Sequence, residues 1–213
     1  MDDQKFQSAA DYAIDLLQRK LLPAFTYHSV DHTLEVVSQC GRLAELEGIN
    51  EERRNLLLLA AYFHEVGLTE ISKTDLDAFE AGRSVHEEKA VEVAREVLPR
   101  YGFGPEELET ITRLIMATKW GHRPSDVLEQ IISDADMSSL GQTIDQFMHI
   151  SEILLAELRA FGNEIEEVDW YENQKELVGT YTFHTASAHS LFDANKLLNT
   201  AAVQSHLDVL RSQ

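Results

Sequence analysis

Positive charge is what this 213-residue sequence has least of. Its 18 Lys and Arg stand against 37 Asp and Glu, a formal charge of −19. A protein that grips long nucleic acid needs Lys and Arg to displace counterions from phosphates, so that class of partner is excluded. Adhesion to an anionic membrane is disfavoured for the same reason. Cysteine is nearly absent as well. Cys40 is the only one, no intramolecular disulfide can form, and a cytoplasmic setting is expected. Cys40 lies in the apolar helical stretch VVSQCGRL, where packing is expected rather than reactivity. No window approaches 18 uninterrupted apolar residues, so no membrane span is expected. The start, MDDQKFQSAADY, is acidic and polar, unlike a secretory signal. There is no GxxxxGK[ST], no GxGxxG after a strand, and no Ser or Cys nucleophile in a recognisable triad. Ten Gly and four Pro leave few breaks, which predicts long helices with short joints.

What is present is a hydrophobic content of 44%, enough for a real core. Apolar residues recur at helical spacing almost throughout, and no alternating strand pattern or internal repeat is seen. A first helix is predicted over 5–22, stopping before Pro23. A second starts near Ser29 as N-cap and runs to Gly48. A third starts at Asn50, turns apolar on every face from Leu56 to Phe63, and is expected to be central and to end at Gly67 as a C-cap. Residues 68–84 read as a polar loop. Further helices are predicted over 85–101, 105–119, 125–136 and 143–161. The tail, 166–210, reads as two more, broken near 182–185. The expectation is one all-α domain of about eight or nine helices, with its core over about 25–140 and the helices of 143–210 packed on it.

Chemistry collects at helix ends. The third helix buries an apolar run and then presents His64-Glu65, a pair that needs a partner because an unpaired buried charge is costly. Upstream are His28 and His32. Downstream, Asp134 and Asp136 end another apolar helix. His86 opens the helix after the loop, and His122 follows the next one. Imidazole and carboxylate are good ligands for divalent first-row metals, and helical bundles build metal sites from such inward-facing residues.

The order His32, His64-Glu65, Asp136 resembles the HD-domain superfamily of metal-dependent phosphohydrolases, in which a His, a His-Asp pair ending a buried helix, and a distant Asp bind one metal. YHSVDHTLEVV is similar to the opening helix of a small bacterial subgroup, and AAYFHEVG to its core FHD-containing motif. HEEKAVEVAREVLPRYGF, IMATKW and ISDADMSSLG resemble later segments. The tail segment WYENQKELVGTYTFHTASA resembles a further region in altered form.

The resemblance implies that His32, His64, Glu65 and Asp136 hold a divalent ion (Mn, Fe, Mg, Ni or Zn), with Asp134 the alternative to Asp136. His86, His122 and Asp134 are the candidates for a second metal or a phosphate contact, and His28 for a supporting position. The subgroup has ATKH where this chain reads Ala117-Thr118-Lys119-Trp120-Gly121-His122, so a Trp takes the usual His position. The larger departure is Glu65, where the family has Asp. Its extra methylene shifts the carboxylate by roughly an ångström.

The implied activity is hydrolysis of a small phosphorylated molecule, a nucleotide among the options, by a metal-activated water. The alternative is an altered HD-like module that binds a metal or nucleotide for regulation. Glu65 and Lys119 are the expected catalytic groups, and Lys119 and Arg123 the expected substrate contacts. Lys73 and Arg83 sit in the 68–84 loop, read as a lid. A homodimer is compatible with the sequence.

Overall fold

The structure is a computed structural model that describes residues 3–71 and 85–212. Among these, nine α-helices and three 3-10 turns make up the regular structure. They are α1 (Asp3–Lys20), α2 (Val30–Leu46), α3 (Glu51–Phe63), α4 (His86–Val97), α5 (Pro105–Met116), α6 (Val127–Asp136), α7 (Ile144–Ala160), α8 (Glu167–Thr180) and α9 (Ala186–Leu210). The 3-10 turns are Val66–Glu70, Leu98–Tyr101 and Met137–Gly141. No described helix is long and apolar enough to cross a membrane. The fold is all-α, as the periodicity predicts.

Local sequence chemistry sets the helix starts. Ser29 adopts extended backbone and its hydroxyl accepts from the His32 N–H at 3.4 Å, which fixes His32 in the first turn of α2. Asn50 caps α3 by accepting from Arg53 N–H at 2.9 Å. Asp126 caps α6 through the N–H groups of Leu128 and Glu129.

The helix α3, apolar from Leu56 to Phe63, packs against α1, α2 and α5, while α2 also meets α6. Leu57, Leu59, Ala60, Ala61 and Phe63 are fully buried. The C-terminal α9 lies on α8 and on the Met137–Gly141 turn. One apolar cluster runs from Ala9 to Leu207 and includes Cys40, whose thiol pKa burial pushes well up.

One boundary differs from expectation in a way that matters. Gly67 is not a left-handed helix cap. The helix ends at Phe63, and Gly67 lies inside the Val66–Glu70 turn, with no positive φ. Its value is the missing side chain. A Cβ there would sit 1.8 Å from the His86 carbonyl oxygen and 2.6 Å from the Ala90 nitrogen. The backbone of α4 therefore lies directly against the turn that follows His64-Glu65, and this contact carries His86 to the end of α3.

Candidate metal centre

Three helix ends converge. His32 comes from the first turn of α2, His64 and Glu65 from the end of α3, and Asp136 from the last residue of α6. One ligand atom from each of His32, His64 and Asp136 lies within 4.8 Å of the others. His32 Nε2 is 3.1 Å from Asp136 Oδ1 and 3.4 Å from His64 Nε2. Glu65 Oε1 approaches His64 Nε2 at 3.2 Å and His32 Nε2 at 3.6 Å. Its other oxygen, Oε2, lies 3.8 Å from His86 Nε2 and makes no hydrogen bond. His64 and Glu65 are 1% and 2% exposed.

The imidazole of His64 is held by its far side. Its Nδ1–H donates to the Ala61 carbonyl at 2.7 Å, which turns Nε2 toward the cluster. Such a backbone partner fixes the ring and the tautomer of a metal-ligating His.

The electrostatics ask for a cation. Burial alone would raise the Glu65 pKa, yet His64, His86 and His28 hold it well below the usual carboxylate range. Asp136 is lowered in the same way, against burial, by His32 and His64. Burial alone would lower the His64 pKa, but Glu65, Asp136 and the Ala61 carbonyl together outweigh it and the ring sits at about 9. Protons on histidines thus supply positive charge that a divalent ion would replace. A mixed imidazole and carboxylate donor set, with a buried carboxylate oxygen left over, fits such an ion.

The other sequence candidates separate clearly. Asp134 and Asp136 were alternatives, and they face different ways. Asp134 accepts from the N–H groups of His184 and Thr185 and from the Thr185 hydroxyl, at 2.7–2.8 Å. It ties the start of α9 to α6 and lies outside the cluster. His122 is also apart, 3.1 Å from Glu129 Oε2 in a network with Arg113 and Ser125. Of the proposed second-site residues, His86 alone reaches the centre, with Nδ1 3.5 Å from Glu87.

Lys119 pairs with Glu88 and lines a cleft that also contains Asp136. Arg123 is exposed and lines none of the three cavities around Asp136. Lys73 and Arg83 lie outside the described residues.

Glu157 is the residue that the sequence reading missed. Fully buried on α7, it accepts from the N–H groups of Tyr27 and His28 at 2.6 and 3.1 Å, and its other oxygen holds His28 Nδ1. Burial would lower the His28 pKa, but Glu65 and Glu157 raise it to about 9. A signal existed. Ile150, Leu154, Glu157 and Phe161 share one helical face, and a carboxylate within an apolar stripe needs a buried partner.

Three cavities meet at Asp136. An inner one of about 290 Å³ contains His28, His32, Glu65 and His86, with Met137, Phe147 and Leu177 on its walls. A cleft of about 380 Å³ continues past Ser29, Asp31, Glu35 and Gln146. A cleft of about 570 Å³ opens past Lys119, Trp120 and His184.

No curated protein matches this chain. Among solved structures, a crystal structure of a protein from Lactobacillus plantarum superposes with a TM-score of 0.66 over 100% of this chain and 97% of that one. The two are 18% identical, so the likeness concerns the fold. The family model of the HD domain matches residues 29–139, a segment that holds His32, His64, Glu65 and Asp136. This match covers more than half of the sequence, and the chain belongs to the HD domain family.

Proposed function

We propose that the chain is a metal-dependent hydrolase of a small phosphorylated molecule, with His32, His64, Glu65 and Asp136 holding the ion. HD domains are in general metal-dependent phosphohydrolases. The observation that carries the reading is the convergence of two imidazole nitrogens and a carboxylate within 4.8 Å, beside a buried Glu65 oxygen without a hydrogen bond. A bound divalent ion supplies Lewis acidity, lowering the pKa of water and stabilising charge on phosphoryl oxygens.

The chain's own residues do the rest. Ala61 keeps His64 Nε2 facing the ion site, and Glu157 keeps His28 facing the inner cavity. Lys119, anchored by Glu88 at the mouth of the cleft, is the cation offered to a substrate phosphate. It is the one Lys or Arg among the described residues that line the three cavities. A substrate with one phosphate suits that supply better than a polyphosphate, whose added charge would meet Asp31 and Glu35.

A second reading rests on Glu65. Its longer side chain brings Oε1 close to His64 and His32 where the family has Asp, and in this reading the site holds an ion or nucleotide without turning it over. Phosphomonoesterase and phosphodiesterase panels run with Mn, Mg, Ni and Zn separate the two. Turnover that chelator removes and Asp136→Ala abolishes supports the hydrolase. Stoichiometric metal binding with no turnover of any phosphorylated substrate supports the binding module.

A further inference from the structure

We infer that the substrate's leaving group carries a planar ring and that Trp120 is the surface on which it stacks. This rests on the phosphohydrolase reading and goes beyond it by naming the class of leaving group and the residue that selects it.

The two tryptophans of this chain are treated oppositely by the fold. Trp170 is buried and donates its indole N–H to Ser151 at 2.9 Å. Trp120 is 70% exposed. An indole is the largest apolar side chain, and leaving it in water forfeits more burial than any other residue could provide. Single exposed hydrophobics are ordinary, but this one stands at the edge of the metal centre. It lines the inner cavity together with His32, Glu65, His86 and Asp136, and the outer cleft together with Lys119, Asn173 and Asp136.

The backbone presents the ring deliberately. His122 N–H donates to the Lys119 carbonyl at 2.9 Å, closing a four-residue turn with Trp120 at its corner. Gly121 follows at φ 82°, a left-handed conformation that glycine adopts without strain. Thr118 Oγ donates to the Ile115 carbonyl at 2.8 Å and ties the turn to the end of α5. The indole is thus carried on a braced corner, so stacking against it orders little further chain.

Two aliphatic side chains stand beside the indole among polar groups that include Asn173, Thr180 and Thr182. Met137 and Leu177 line the same two cavities as Trp120 and Asp136. Two aliphatic side chains and one indole give a ring apolar surface to rest on. The phosphate end would lie toward Asp136 and Lys119.

The test compares ligands of equal phosphate content. Mn-loaded protein is titrated with inorganic phosphate and with the non-hydrolysable methylenephosphonate analogues of adenosine 5′-monophosphate and ribose 5-phosphate. Affinity is read by calorimetry, and the environment of Trp120 by its emission. The adenosine analogue should bind roughly tenfold or more tightly than the ribose analogue and quench the emission. Trp120→Ala, at an exposed position, should bring that ratio close to one, and Trp120→Phe should keep most of it. A ratio near one in the parent protein, or one that Trp120→Ala leaves intact, overturns the inference while the phosphohydrolase reading stands on phosphate binding. If none of the three binds, inorganic phosphate included, the phosphohydrolase reading fails and this inference fails with it.

Discussion

Glu157, fully buried, and His28, partly buried, lie 129 residues apart and form a pair that joins α7 to the candidate metal centre. The carboxylate holds both the ring and the backbone before α2, so the segment beyond the HD-matched residues 29–139 helps to shape the site. Glu157→Ala removes the acceptor of the Tyr27 and His28 N–H groups and the carboxylate beside the part-buried His28 ring, and should cost roughly 3 kcal/mol in urea unfolding. Glu157→Gln keeps an acceptor but removes the charge, so His28, at about 9 in the parent, should titrate at lower pH by NMR. An unchanged His28 titration in Glu157→Gln would show that Glu65 and Asp136 set it without Glu157.

Asp134 and Asp136 should differ in what their loss destroys. Asp136→Asn should lower metal affinity by about tenfold or more while leaving the unfolding transition near that of the parent. Asp134→Ala removes the acceptor for three donors at the start of α9 and should cost roughly 3 kcal/mol. Calorimetric metal titration beside thermal unfolding of both variants checks the pair. Exchanged phenotypes would reverse the assignment.

Gly67→Ala places a methyl group on the backbone of α4 at His86. Neither partner is a flexible side-chain tip, so the turn and the helix must separate. A loss of about 3 kcal/mol in stability is expected, with weakened metal binding as His86 moves from Glu65. A variant as stable as the parent would mean that the contact between turn and helix is loose.

Acid should act through Glu129. Burial alone would raise its pKa, but Ser125, His122 and Arg113 hold it at about 2, below its ordinary value of 4.5. A carboxylate lowered on folding stabilises above its unfolded pKa, and the contribution fades as pH falls from 4.5 toward 2. The stability gap between the parent and Glu129→Gln should therefore be widest near pH 7 and narrow below pH 4.5. A gap of the same size at pH 3 and pH 7, measured by urea midpoints, would contradict this.

Much of this site was legible because its logic is local. Ser29 and Asn50 read as caps since a side-chain oxygen before an apolar run has one common use. The apolar run Leu56–Phe63 of α3 read as central, and His64-Glu65 after it read as needing a partner. What escaped depends on distant backbone. Gly67 read as a helix end because glycine serves both turns and close approach, and only the position of α4 decides between them. The DAD run left two aspartates open until α9 claimed one. Glu157 was hidden by distance along the chain, although its place in the Ile150, Leu154, Phe161 stripe marked it. Lys119 read as a catalytic group and substrate contact and His122 as a second-metal candidate, and tertiary contacts give them Glu88 and Glu129 as partners.

The most direct test of the central claim is the divalent metal content of protein purified without chelator, measured by elemental analysis beside His64→Ala. The account predicts about one Mn, Fe, Ni, Zn or Mg per parent chain and close to none in the variant. A parent chain that holds no divalent ion, and takes up none when Mn is added, would contradict it.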